Sequence, residues 1–177
     1  VKNETDIMVI QALYRAYCFL ASAYTLELSY QQFVKTKKYG KARQLLPIQI
    51  AQPFVEVAEK LNVYPWLDYH YAYSLGNYKF IDESKGFHWS NLDQCVKFSG
   101  TSDESGFIMN HVDINQHSPK LVGSVLQALK AISNNNNEDL NKNLKQNFHS
   151  MELVNDRRKD MWVASRWKHY NDFRIFI

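Results

Sequence analysis

Between Asp6 and Leu28, apolar side chains recur at Ile7, Ile10, Leu13, Tyr14, Tyr17, Leu20, Ala21, Tyr24 and Leu28. This is the spacing of one face of an α-helix, and Asp6 supplies a side-chain acceptor for its first turn. The intervening positions are themselves rather apolar, so the helix is expected in the interior, which calls for other helices to cover it. Of the 177 residues, 45% are apolar and 22% charged. Those fractions exclude wholesale disorder, collagen-like repeats and a disulfide-dense mini-domain. The formal net charge of +3 is too small to call for nucleic acid or an anionic membrane surface. The uncharged apolar run Ala16 to Leu26 is shorter than the roughly 20 residues that cross a bilayer, so no membrane partner is expected. Two cysteines, Cys18 and Cys95, without a leader pattern, suit a reducing, cytoplasmic setting and no structural disulfide.

After a basic turn over Lys35 to Lys41, the stretch Leu45 to Pro53 contains two prolines and is predicted to be an extended connector. Pro53 then opens a short helix burying Phe54, Val57, Ala58 and Leu61, and Pro65 opens another over Trp66 to Tyr78. Residues 80–105 lack periodicity and are predicted to form a long irregular connection, with a short strand near Gln94 to Phe98. A helix from Asp103 to Gln116 follows. Ser118-Pro119 caps and opens the next, which runs to Ser133. Beyond the tract Asn134 to Asn137, a helix carries Leu140, Leu144, Phe148 and Met151 on one face, and a last helix begins near Arg158. The fold class is therefore all-α, a single helical domain portion over residues 1–177 with no internal repeat. The final stretch from Met161 to Ile177 is apolar and carries neither a C-cap nor a polar tail, so it is expected to be an exposed stump. On this ground the chain is expected to be the amino-terminal portion of something longer.

Three ordered stretches carry a resemblance. They are Leu46-Pro-Ile-Gln-Ile-Ala-Gln-Pro-Phe running on to Tyr64-Pro-Trp-Leu-Asp-Tyr69, then Ser105-Gly-Phe-Ile-Met-Asn-His-Val112, then His169-Tyr-Asn-Asp-Phe-Arg-Ile-Phe-Ile177. Together they resemble the indoleamine 2,3-dioxygenases. The resemblance implies a helical bundle of the haem dioxygenase type, ending before its carboxy-terminal half. It implies haem b as cofactor, and L-tryptophan or a related indole and dioxygen as substrates. The implied reaction inserts dioxygen into the indole C2–C3 bond to give N-formylkynurenine. Carried over residue by residue, Tyr69 and Phe107 fall beside the distal pocket, and Phe107 and His111 lie next to the cofactor. Arg174 falls on the residue that recognises the substrate carboxylate. His169 departs from the family, which has an aromatic hydrocarbon ring there, and the departure leaves the substrate open.

The residues also support these roles on their own chemistry. Phe107 and His111 are four apart on one predicted helix and share a face. An apolar ring beside one hydrogen-bonding group suits an indole, which is flat and has one N–H to donate. Neutral His111 would accept that N–H as the catalytic positioning group, and protonation would weaken the contact. The plainer alternative is an ordinary histidine on an amphipathic helix. Arg174 stands among Phe173, Ile175, Phe176 and Ile177, a setting in which a guanidinium needs an anion, either a substrate carboxylate or an internal carboxylate. Tyr170, one turn before Arg174, can line the same pocket, and Tyr69 is read as pocket with Tyr73 as core.

No phosphate loop, Gly-x-Ser-x-Gly or Cys-x-x-Cys occurs. His111, Asp113 and His117 lack zinc spacing, Trp89, Trp162 and Trp167 are taken as core or interface fillers, and Arg157-Arg158-Lys159 as a solvated helix end. None of the six histidines matches the family's axial ligand to iron. No metal ligand is therefore assigned in this chain, and a missing carboxy-terminal segment or second chain is expected to supply it. Two rival functions are a related haem enzyme acting on another tryptophan derivative and a haem-free helical interaction scaffold.

Overall fold

Asp6 accepts a hydrogen bond from the Met8 amide and starts α1 (Ile7–Thr36), which ends at Lys37 in a left-handed conformation. In the computed structural model, which describes residues 1–177, α1 lies between two apolar clusters. Ile10, Tyr14, Cys18 and Ala21 pack against Phe54, Val57 and Ala58 of α2 (Ile48–Leu61) and against Ala72. Phe19 turns the other way, towards Tyr73, Leu92, Ile108, Met109 and Val112. Burial pushes the Cys18 thiol up to about 12, and both cysteines are free. Interior placement holds for those two faces, but Ile7, Leu20 and Leu28 are exposed because no element of the chain covers that stripe. By length and composition alone α1 is long and apolar enough to span a bilayer, a test that core helices also pass.

Three predicted boundaries move. Helix α2 begins after Pro47, and Pro53 lies inside it. A proline this near the amino-terminal end forfeits only one backbone bond, and burial of Phe54, Val57 and Ala58 outweighs that loss. The segment after Pro65 is shorter and wider than an α-helix. It is a π-helix over Tyr69–Leu75, in which the Asp68 carbonyl accepts from both Ala72 and Tyr73 and the Asp68 side chain caps Tyr71. The strand pair is β1 (Tyr78–Phe80) antiparallel to β2 (Leu92–Gln94), two residues earlier than predicted for the second strand. Buried asparagines stand in for regular pairing in the long connection. Asn91 Nδ2 donates to the carbonyls of Asp82, Lys85 and Gly86, and Asn77 exchanges two hydrogen bonds with the Val96 backbone.

Helix α3 (Ser102–Asn115) starts at Thr101, whose side chain accepts from the Glu104 amide. Helices α4 (Ser118–Ser133) and α5 (Asn137–Lys159) form an antiparallel hairpin, with His117 rather than Ser118 in the cap position of α4. Asn136 caps α5, and Arg157, Arg158 and Lys159 fill its last turn, where cations oppose the helix dipole. The apolar face of α5 is left largely in solvent. Leu144, Phe148 and Met151 are exposed, because the hairpin closes through Ser124, Ala128, Ala131 and Ser150 and through Asn147 bonded to Leu121 and Ser124.

The last predicted helix is also different. After α6 (Met161–Ala164) the backbone turns extended at Ser165, and α7 (Asn171–Arg174) is a single turn. Trp162, Val163, Trp167 and Ile177 are exposed, as expected of an apolar stump, and the two tryptophans fill no core, whereas Phe173 and Phe176 are buried. Phe176 stacks on Phe98 at 5.1 Å, and the Ser22 hydroxyl of α1 donates to the Phe176 carbonyl. The return of the chain depends on Gly106. A Cβ there would lie 1.7 Å from the Ala164 carbonyl oxygen, whereas a Cβ at Gly123 would meet nothing within 4 Å. Gly106→Ala is therefore expected to cost about 1–3 kcal/mol through overpacking. Gly123→Ala, within α4, should gain about 0.4–1 kcal/mol. Urea unfolding of the two variants beside the parent chain checks both signs.

Candidate functional site

The middle of α3 gathers the aromatic residues singled out by sequence. Phe107 and His111 lie ring to ring at 4.6 Å, as their spacing on the helix requires. The wide turn of the π-helix delivers Tyr69 edge-on to His111 at 5.9 Å and against Tyr73 at 5.7 Å. From the far end of the chain, Tyr170 reaches Phe107 at 5.1 Å and Phe173 reaches it at 5.6 Å. The Arg174 guanidinium lies 5.6 Å over the Tyr170 ring, within cation–π range. Five candidates, Tyr69, Phe107, His111, Tyr170 and Arg174, are thus contiguous.

His169 and Arg174 differ from the setting expected of them. His169 Nδ1 is 3.4 Å from Asp172 Oδ2, one turn along its own segment. Arg174 is exposed rather than enclosed by its apolar neighbours, which turn inward at Phe173 and Phe176. It makes its ring contact without a carboxylate in ion-pair reach.

His111 is half-buried, and burial pushes its pKa below the ordinary histidine value, with nearby His70 adding to the effect and the Phe107 carbonyl opposing it. The imidazole is therefore neutral at neutral pH. Its Nδ1 lies 2.8 Å from the Phe107 carbonyl oxygen, which only accepts, so this nitrogen carries the hydrogen and Nε2 is left as an acceptor. Burial raises the Tyr69 phenol above its usual range, so it stays protonated. The arrangement offers flat apolar surface, one neutral acceptor and one mobile cation.

Two residues that sequence reasoning passed over hold this geometry. The buried Glu104 carboxylate accepts from the Phe98 and Ser99 amides, the Ser99 hydroxyl and the Tyr73 hydroxyl at 2.7–3.2 Å. It joins the irregular connection, the π-helix and α3. The signal was present in Thr101-x-x-Glu104, a helix-start pattern. Asp103, 4% exposed, accepts the Arg166 backbone amide at 2.8 Å and Nη2 at 2.8 Å, with Nε also in reach. That pair fixes where the chain carrying Tyr170 and Arg174 begins.

The residues present offer a haem one wall only. Tyr69, Phe107 and Tyr170 form an aromatic surface of suitable character. No group of three or more potential metal ligands occurs, and of the other histidines only His70, edge-on to Tyr69 at 5.7 Å, adjoins the wall. His88 pairs with Ser90, His117 opens α4, His149 sits by Glu152, and His169 faces Asp172.

The chain is thus all-α, with an aromatic wall, one half-buried neutral histidine and a cation beside it. A family model described as indoleamine 2,3-dioxygenase matches residues 4–177, and the chain belongs to that family. An indoleamine 2,3-dioxygenase of Saccharomyces cerevisiae is 31% identical over 147 residues, covering 78% of this chain and 30% of its own length. Indoleamine 2,3-dioxygenase nanC of Aspergillus nanangensis is 28% identical over 102 residues, covering 51% of this chain and 23% of its own. The chain thus spans less than a third of the length of these curated relatives.

The Arg166 guanidinium holds the Asp103 carboxyl below the usual carboxylate range. A carboxylate with a depressed folded pKa stabilises above its unfolded pKa of about 3.9, and that stability is lost as pH falls through the folded value. Asp103→Asn should therefore lower the urea midpoint at pH 7, and the gap to the parent should close as the medium is acidified below about pH 4.

Proposed function

We propose that this chain forms the substrate-side wall of a haem-dependent dioxygenase acting on L-tryptophan or a related indole. The single observation that carries the proposal is the neutral, half-buried His111 with Nδ1 committed to the Phe107 carbonyl and Nε2 free to accept, set against the Phe107 and Tyr69 rings. Family membership supplies the reaction class.

In this reading Nε2 of His111 accepts the indole N–H, Phe107, Tyr69 and Tyr170 stack around the ring system, and Arg174 swings from Tyr170 to pair with the substrate carboxylate. Exposure of Arg174 suits the last role, because a guanidinium in water can re-aim without leaving a buried charge unpaired. Haem, when bound, would supply the oxygen chemistry, and its axial ligand would come from polypeptide other than these 177 residues. His169, turned to Asp172 instead of presenting a hydrocarbon ring, supports a second reading in which a different tryptophan derivative is the substrate. Product analysis separates the two, since only the first gives N-formylkynurenine from tryptophan.

The test uses the haem-loaded protein that contains this chain, with indole and tryptophan titrated in parallel. Arg174→Ala should weaken tryptophan about tenfold or more and leave indole nearly unchanged, the difference of one charge-assisted contact. Equal losses would count against the clamp. Indole affinity should be flat from pH 8 down to about 6.5 and fall only below that, because the depressed pKa keeps His111 neutral past the ordinary titration point. His111→Ala should remove this acid limb while haem absorbance is retained; release of haem would place His111 on the wrong side.

A further inference from the structure

Between α2 and the π-helix the chain carries three large rings that the core does not use. Tyr64, Trp66 and Tyr71 leave 72%, 59% and 38% of their surface exposed, and they line a cavity of about 270 Å³ at the carboxy-terminal end of α2. The Tyr64 and Trp66 rings lie 5.3 Å apart on a braced backbone. The Trp66 amide donates to the Tyr64 carbonyl across Pro65, and the buried Tyr14 hydroxyl donates to the carbonyls of Tyr64 and Trp66 at 2.9 and 3.2 Å. Tyr14 also supports Tyr71, ring to ring at 5.6 Å. Asp68 brings a carboxylate to the same cavity. Its Oδ1 accepts the Tyr71 amide at 2.6 Å, whereas Oδ2 has no hydrogen-bond partner and is not sealed from solvent. No ion pair of the chain involves Asp68. Lys60, the cation in the last turn of α2, is turned to the carbonyls of Val1, Lys2 and Glu4. Ring faces carry negative potential, the carboxylate adds a full charge, and the end of α2 adds the negative pole of its dipole, so all three attract a cation.

We propose that this cavity binds a small quaternary ammonium compound, its methylated nitrogen against the Tyr64, Trp66 and Tyr71 rings and beside Asp68 Oδ2. A primary ammonium is strongly hydrated and has three donors to satisfy. A quaternary one has none, so ring faces and one carboxylate are enough to hold it. The volume admits a trimethylammonium head with a short tail. The site shares no side chain with the aromatic wall around Phe107, is independent of the dioxygenase reading and needs no haem.

Calorimetric titration of the protein that contains this chain with choline, ethanolamine and 3,3-dimethyl-1-butanol tests the proposal. The last has the shape of choline with carbon in place of nitrogen. Choline is expected to bind saturably at one site, with the alcohol and ethanolamine each about tenfold weaker or more. Trp66→Ala removes an exposed ring without opening the core and should weaken choline about tenfold. Asp68→Asn keeps an acceptor for the Tyr71 amide, removes the charge and should narrow the gap between choline and the alcohol. Absence of saturable choline binding, equal affinity for choline and the alcohol, or unchanged choline affinity in Trp66→Ala would each overturn the proposal. Tighter binding of ethanolamine than of choline would overturn the quaternary assignment, and tighter binding of a trimethyllysine peptide would overturn the small-molecule one. The ligand comparison on the parent protein and the Trp66→Ala result stand even if Asp68→Asn disturbs the π-helix.

Discussion

The contact of α3 with the chain at residues 164–166 governs the rest of the structure. Gly106 lets the Ala164 carbonyl approach the α3 backbone, and three residues earlier Asp103 grips both the amide and the side chain of Arg166. The two contacts lie on one face of the helix, and together they stop α6, turn the backbone extended at Ser165 and send it back along α3. Everything that Tyr170, Phe173 and Arg174 do against Phe107 depends on that turn. An aspartate is suited to the role because its two charged oxygens accept a backbone amide and two guanidinium nitrogens together, whereas an asparagine offers one acceptor oxygen and no charge.

A second constraint is the polar interior around Glu104. The segment between β1 and α3 has too little regular structure to satisfy its own backbone, and asparagine, glutamate and serine side chains take over. Glu104 also receives the Tyr73 hydroxyl, which ties the rear of the π-helix to the start of α3. The π-helix widens by accepting two amides at the Asp68 carbonyl, and that extra width sets Tyr69 against His111 while Tyr73 stays in the core. The aromatic wall is therefore held from behind by charged and amide groups that never touch it.

Local features were legible in the residues where one element was enough to define them. The Asp6 start of α1, the Asn136 cap of α5 and the shared face of Phe107 and His111 all follow from helix geometry. Pro53 misled because a proline can open a helix or lie within its first turns, and only the burial of Phe54, Val57 and Ala58 decides between them. The shared face of α5 was legible too, but not what would cover it. Leu144, Phe148 and Met151 have helical spacing, but the hairpin with α4 closes through smaller residues and Asn147, so the larger side chains point away.

The sequence by itself determined the all-α class, most helix starts and the local pairs of the candidate site, because backbone hydrogen bonding fixes which residues three or four apart share a face. Only the tertiary structure decided that Tyr170 and Arg174 join Phe107, that His169 turns to Asp172 and that Arg174 stands in water. Those outcomes rest on contacts such as Asp103 with Arg166, separated by 63 residues. The position of such a contact is set by loop closure and packing complementarity, which no local periodicity encodes.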